Sequence, residues 1–343
     1  MIHYKDHPLL RVSINKHSFD QPKEDMTPKD AAPKSQTGIA AFFDLLRKYI
    51  YPLKNSFERK KVISSLELLN GFKRVGTVPD VVSKGHKGFS QKVFLSRIRS
   101  SVTPAPETIV CYGCGTGDEA ITLAQIFRPR KIIGLDYFNY RSYWDKIGNI
   151  LRNKYSIEAD FIQMDPLQQL PDKLKECCDM IYSHAVLEHV RDMDQTFPFI
   201  KGLMKKDAFF LAQWGPMWYS YSGDHISGEL GLDKGYEHIL LNPEQYFDYY
   251  KNHPRNVEDV AKGVNTWMEL GLHNFALYSE YIQSLEKYFG KIQFLQWVIA
   301  PEAFSYREKF KDNWEKALAG NPEISELDLV LQCAGVVIKN SNA

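Results

Sequence analysis

The sequence predicts an α/β protein: a doubly wound, mostly parallel sheet of seven strands with helices on both faces. Three observations carry that expectation. Thr108 to Tyr112 is a short β-branched run, followed at once by Gly113, Gly115 and Gly117. An apolar stripe at helical spacing comes next: Ala120, Ile121, Leu123, Ala124 and Phe127. A second apolar run, Lys131 to Asp136, then ends in a carboxylate about 20 residues past the glycines, the interval at which an acid meets a ribose in such sheets. From residue 107 to 213 strand-like and helix-like segments keep alternating, the rhythm of parallel strands joined by crossover helices.

Taken in order, residues 1–38 form a lead, rich in Pro, Lys, Asp, Ser and Gln from Phe19 to Gly38 and expected to be mobile. Residues 39–106 form a helical extension or cap. Ile39 to Ile50 has an amphipathic pattern ended by Pro52, and Ser56 to Leu69 a second one closed by Asn70-Gly71. Residues 79–88 are expected to be a loop and Phe89 to Ile98 a helix. Strands are predicted over 108–112, 131–135, 159–164, 178–183, 208–213 and 292–298, with a seventh inside 327–338. Helices are predicted over 118–127, 143–155 and 194–204. Between the fifth and sixth strands lie about 75 residues, far beyond the usual connection. Residues 214–285 are therefore expected to be a substrate-binding insertion in a domain spanning 107–343, because ligands bind at the carboxyl edge of such sheets.

Composition narrows the class. The chain has 343 residues, 44% hydrophobic and 25% charged, with a net charge of +1. That balance gives no basic stripe for nucleic acid and no anionic-membrane signal. No apolar run approaches the roughly 18 residues of a membrane helix, and the N-terminus lacks the apolar core of a signal peptide. Cys111 and Cys114 form a C-x-x-C, but no second pair completes a zinc site, so no metal is expected and both read as core or turn residues. The five cysteines show no disulfide framework, which suits a reducing cytoplasm.

Val110-Cys-Tyr-Gly-Cys-Gly-Thr-Gly117 resembles the first motif of class I S-adenosylmethionine-dependent methyltransferases, which share a Rossmann-like fold. Gly134-Leu-Asp136 resembles the second motif, Gln163-Met-Asp165 the third, and Asp179 to His189 the fourth, in the form found among small-molecule and sugar-type members. The resemblance implies S-adenosyl-L-methionine as cofactor. It implies Gly113, Gly115 and Gly117 as the cofactor loop, Asp136 and Tyr137 at the ribose, Asp165 and Pro166 at the adenine, and Ser183 and His184 near the sulfonium. Asp165 can alternatively cap the turn before Pro166. One position departs from the family. Cys111 stands where the resemblance calls for an acid, and Asp118 or Glu119 at the following helix start could stand in for it or merely favour the helix dipole.

An oxygen acceptor must lose its proton, and histidine suits that task at neutral pH. His225, in Gly215-Pro-Met-Trp-Tyr-Ser-Tyr-Ser-Gly-Asp-His225, resembles the histidine placed beside the acceptor in a sugar-linked branch, and His238 is the second candidate. For both, a structural histidine on a loop is the alternative. Glu188 and His189 are expected to begin a helix in an orienting or structural role. Trp214, Trp218, Tyr219 and Tyr221 either stack on the acceptor or fill space. The expected function is methyl transfer to a small-molecule or sugar-linked acceptor, at oxygen, with no nucleic-acid partner, no membrane span, and a homodimer among the arrangements open to the chain. Two alternatives stand beside it: a cofactor-binding interaction protein without catalysis, and an NAD(P)-dependent oxidoreductase, against which the glycine frame argues because position 118 is Asp.

Overall fold

The computed structural model describes residues 60, 61, 64, 78–85, 89–165, 168–261 and 273–340. The expected lead and the helix over 39–50 lie outside these residues, as does most of the helix expected over 56–69.

The core of the fold is built as the sequence pattern demands. Strand β2 (Thr108–Tyr112) is buried along its whole length. It runs parallel to β3 (Lys131–Asp136) on one side and to β5 (Cys178–His184) on the other. Strand β4 (Glu158–Gln163) extends beyond β3, and β6 (Met204–Trp214) beyond β5. Helix α2 (Asp118–Phe127) buries Ala120, Leu123, Ala124 and Phe127, the stripe visible in the sequence. Helix α3 (Arg141–Tyr155) buries Trp144, Ile147, Gly148 and Leu151, and α4 (Met193–Leu203) starts from Asp192, whose carboxylate caps the Gln195 N–H.

The sheet has eight strands where seven were expected. The extra one is β1 (Val81–Lys84), inside the segment expected to be a loop. It joins β7 (Ile292–Ile299) in parallel, with Val82 buried. Asp80 fixes its entry: its N–H donates to the Leu295 carbonyl and its carboxylate accepts the Leu295 N–H. Four residues carry no readable period, so this strand is set by its partner and not by its own sequence. Strand β8 (Leu331–Lys339) inserts antiparallel between β6 and β7, giving the order β1-β7-β8-β6-β5-β2-β3-β4.

Alternation along the central strands separates two cores. On one face Ile109, Cys111, Ile132, Met180 and Tyr182 pack under α1 (Gln91–Ile98), α2 and α3. On the other Val110, Ile133, Ile181 and Phe210 pack under α4 and α8 (Tyr278–Phe289). The long connection after β6 belongs to this second face. It carries short α5 (Glu237–Leu240), α6 (Pro243–Asn252) and α7 (Pro254–Ala261). Asn242 and Gln245 form a capping box at the start of α6, and Tyr246 and Tyr250 face inward. Trp214, Trp218, Tyr219 and Tyr221, open to either role from sequence, are all buried and fill this core. Helices α9 (Pro301–Lys309), α10 (Lys311–Gly320) and α11 (Glu326–Val330) connect β7 to β8.

One packing feature bears directly on the site. A Cβ on Gly134 would lie 2.3 Å from the Phe161 ring and 2.9 Å from Cys114 Sγ. Phe161 in turn stacks on Trp144, with ring centroids 5.9 Å apart. Gly134→Val is expected to cost about 1–3 kcal/mol by overpacking, read as a lower denaturant midpoint with an unchanged slope.

Candidate active site

The carboxyl ends of β2, β3 and β5 meet at a cavity of about 310 Å³, at the low end of the size of small-molecule sites. The turn after β2 is held by its own backbone. The Gly113 and Cys114 N–H groups both donate to the Leu135 carbonyl, at 2.8 and 3.1 Å, and Gly117 N–H donates to the Cys114 carbonyl. Gly115 N–H donates to Asp136 Oδ2 at 2.7 Å, and the Gly115 carbonyl accepts from Trp144 Nε1 at 2.8 Å. These amides are thus engaged within the protein, and the turn is preformed.

The three glycines do different work. A Cβ at Gly113 would strike Val186, and one at Gly117 would strike Phe161. At Gly115, which has φ +49°, a Cβ would meet nothing within 4 Å. Gly115 is therefore the place where the backbone lies open to a ligand.

Asp136 joins the turn to the next loop. Its Oδ1 accepts the Phe138 N–H at 2.9 Å while Oδ2 holds Gly115. Burial raises its pKa, and the N–H groups of Phe138, Gly115 and Tyr137 pull it back down. Each oxygen keeps a lone pair for a further donor. Gly113, Gly115, Asp136, Tyr137 and Asp165, all expected from sequence, line the cavity together. Phe138, Tyr140, Met164, Val186, His189 and Arg191 line it too and were not anticipated there. His189 had a signal, since it follows β5 on the same edge of the sheet. Arg191 and Phe138 had none beyond proximity to a motif.

The remaining expected residues lie elsewhere. Pro166 lies outside the described residues. Ser183 is fully buried, and its hydroxyl finds no hydrogen-bond partner. His184 is held from two sides: Nδ1 lies 2.8 Å from Glu119 Oε1, Nε2 lies 3.3 Å from the Phe89 carbonyl, and the Phe89 ring stacks on it. Glu119 also accepts from Cys111 Sγ at 3.8 Å. A carboxylate thus stands beside the position where Cys111 replaces the expected acid, while Asp118 is engaged by the Thr116 hydroxyl. Glu188 and His189, expected to open a helix, form a single 3-10 turn (Leu187–His189) before α4 begins.

His225 does not line the cavity. Its ring stacks on His189, with centroids 5.2 Å apart and planes 19° apart, and lies 6.1 Å from His273. Burial and then the neighbouring His189 lower its pKa to about 3. His238 is buried in the insertion, 5.3 Å from Trp218 between ring centroids, with Nδ1 3.9 Å from Asp224 Oδ1. Burial lowers its pKa as well, with Asp224 opposing. Asp224 is itself fully buried and accepts from Ser227 N–H, Ser227 Oγ and Tyr246 OH, so it pins the loop carrying His225 to α6.

Residues 107–215 match the family described as Methyltransferase domain. No curated protein matches the chain in sequence. Among solved structures, the YcgJ protein from Bacillus subtilis aligns with a TM-score of 0.42 and 11% identity, over 76% of this chain and 100% of its own. A Mesorhizobium loti S-adenosylmethionine-dependent methyltransferase aligns with a TM-score of 0.42 and 15% identity, over 71% and 96%. Geranyl diphosphate C-methyltransferase from Streptomyces coelicolor A3(2), in complex with Mg2+, geranyl diphosphate and S-adenosyl-L-homocysteine, aligns with a TM-score of 0.41 and 13% identity, over 73% and 76%. The match to a methyltransferase domain thus covers residues 107–215, the segment that supplies the glycine turn, Asp136 and His189 of the cavity. Among the described residues no helix is long and apolar enough to cross a membrane.

Proposed function

We propose that the chain methylates a small-molecule or sugar-linked acceptor, at oxygen, with a histidine as general base. The observation that carries the cofactor half is Asp136, which lines the cavity and is bonded to Gly115, the one glycine of the turn where a Cβ would meet nothing within 4 Å. Asp136 suits a ribose diol, because a carboxylate with two free lone pairs accepts both hydroxyls. Asp165, on the same wall, suits the exocyclic amino group of adenine, and Tyr137 and Phe138 supply aromatic surface beside it.

When bound, S-adenosylmethionine supplies an activated methyl group. The chain then has to orient the acceptor, exclude water and take up one proton. Of the two histidines expected to serve, His225 is next to the cavity wall through His189, whereas His238 packs in the insertion's core. The small-molecule reading is supported by the modest cavity and the balanced charge of the chain. A reducing cytoplasm, where five free thiols are the ordinary state, fits the same reading.

Calorimetry with S-adenosylmethionine and with NADH tests the assignment. Binding of the former with a dissociation constant in the micromolar range or tighter is expected, and tight binding of NADH alone would replace this reading with the oxidoreductase.

A further inference from the structure

The described histidines sort by position. His184 is taken by Glu119 and the Phe89 carbonyl. His238, His253 and His273 are buried in packed surroundings. His225 lies behind another ring. Only His189 among them lines the cavity that Gly115 and Asp136 also line. It sits on the Leu187–His189 turn, with its N–H bonded to the Val186 carbonyl, so its backbone is fixed. Its outer face meets the cavity and another face meets the His225 imidazole.

We infer that His189 is the general base of the methyl transfer and that His225 is a positioning residue stacked against it. This rests on the methyltransferase reading of the same cavity. In the step, the acceptor O–H gives its proton to the His189 imidazole. The new O–C bond forms from the oxygen's electron pair, and the C–S bond breaks with its pair left on sulfur. One positive charge therefore moves from the sulfonium to the imidazole, and S-adenosylhomocysteine is left neutral. The two rings are nearly parallel, so their nitrogens lie in separate planes and do not converge on one point, and no group of three or more ligating side chains fit for a metal occurs among the described residues.

The surroundings suit a base that works only when neutral. His225 stays neutral through the physiological range, because burial and His189 hold its pKa at about 3. Charge on both stacked rings at once would be repulsive. From the insertion, Asp224 favours and Arg255 opposes charge on His225, and His273 lies behind it. The charged and titratable groups that line the cavity with His189 are Asp136, Asp165, Asp192 and Arg191, with Tyr112, Tyr137 and Tyr140.

The charge transfer gives a test that needs no acceptor. A protonated His189 beside the sulfonium repels S-adenosylmethionine but not S-adenosylhomocysteine. The ratio of their dissociation constants is therefore expected to rise about tenfold or more as pH falls from 8 to 5.5. Asp136 and Asp165 are unchanged in His189→Asn, so that variant separates their effect on the ratio from that of His189. In His189→Asn the ratio should stay flat between pH 8 and 5.5, whatever the absolute affinity for either ligand. Histidine Cε1–H resonances of the wild type provide a second measurement that depends on no variant: S-adenosylmethionine should lower the His189 titration midpoint and S-adenosylhomocysteine should not. A ratio independent of pH, or the same rise in His189→Asn, overturns the base assignment while leaving the cofactor site standing. Failure of both ligands to bind sinks the methyltransferase reading itself.

Discussion

Replacing Asp136 by Ala is expected to weaken binding of S-adenosylmethionine and S-adenosylhomocysteine alike by about 100-fold or more. The carboxylate is the junction of the site. It accepts Gly115 N–H from the glycine turn and Phe138 N–H from the next loop, and it lines the cavity. A hydrogen bond to a charged group is worth about 1.5–3 kcal/mol, so two lost from a ribose diol amount to about 3 kcal/mol or more. Alanine also releases two amides in a half-buried turn, which adds to the loss. Asn does not rescue the function, because its amide nitrogen would set a donor against the N–H of Gly115 or of Phe138. Calorimetry reads the effect directly, and near-wild-type affinity in the Ala variant would remove the ribose assignment.

Glu188→Gln is expected to stabilise the protein at pH 8 and to flatten its stability between pH 5 and 8. Glu188 is buried, and neither carboxyl oxygen makes a well-formed hydrogen bond. Burial raises its pKa to about 8, against the longer-range pull of the backbone N–H groups of Glu188 itself and Gly215. Its neighbours include the Tyr281 hydroxyl and the Cys333 thiol, whose own ionisation it opposes. The sign follows from linkage. The folded pKa lies above the ordinary 4.5, so the neutral acid favours the fold fully below about pH 4.5, and that contribution is lost as pH rises towards 8. At 1.36 kcal/mol per pH unit the full span is about 5 kcal/mol. Glutamine keeps the shape and removes the ionisation. Denaturant midpoints measured from pH 5 to 9 give the comparison; equal pH slopes in the two proteins would show that Glu188 stays protonated in neither state's favour.

The structural consequence of Glu188 reaches the site. It lies in the segment from Ala185 to Asp192, where Ala185, Val186, His189, Val190 and Arg191 line the cavity. The side chain between them turns inward, and Asn274 holds the same segment by donating to the Leu187, Glu188 and Val190 carbonyls. One wall of the cavity is therefore anchored by a carboxyl group and an amide buried beneath it.

What the chain alone determined was the order strand, glycine turn, helix, strand, carboxylate, together with the elements from 108 to 214 to within a few residues. Those features are local. Periods of 2 and 3.6 residues declare which face is buried, and a glycine turn at a strand end fixes where a ligand can approach. Asp136 could be placed at the cavity because it terminates a strand beside that turn, and its side chain had little choice of direction.

Only the tertiary structure decided the rest. Val81–Lys84 became a strand because β7 offered an open edge, a partner more than 200 residues away. His184 was taken from the cavity by Glu119 and Phe89, two segments that its own neighbourhood in sequence does not mention. The aromatic run after β6 turned into core because Trp214 packs on Tyr281 of α8, Trp218 on His238, Tyr246 and Phe275, and Tyr221 on Tyr236. His189 and His225 met as a stacked pair because two loops from adjacent strands, β5 and β6, leave the sheet on the same edge. Each outcome depends on which long-range surface arrives at a side chain, and contacts of that kind leave no period in the sequence to read.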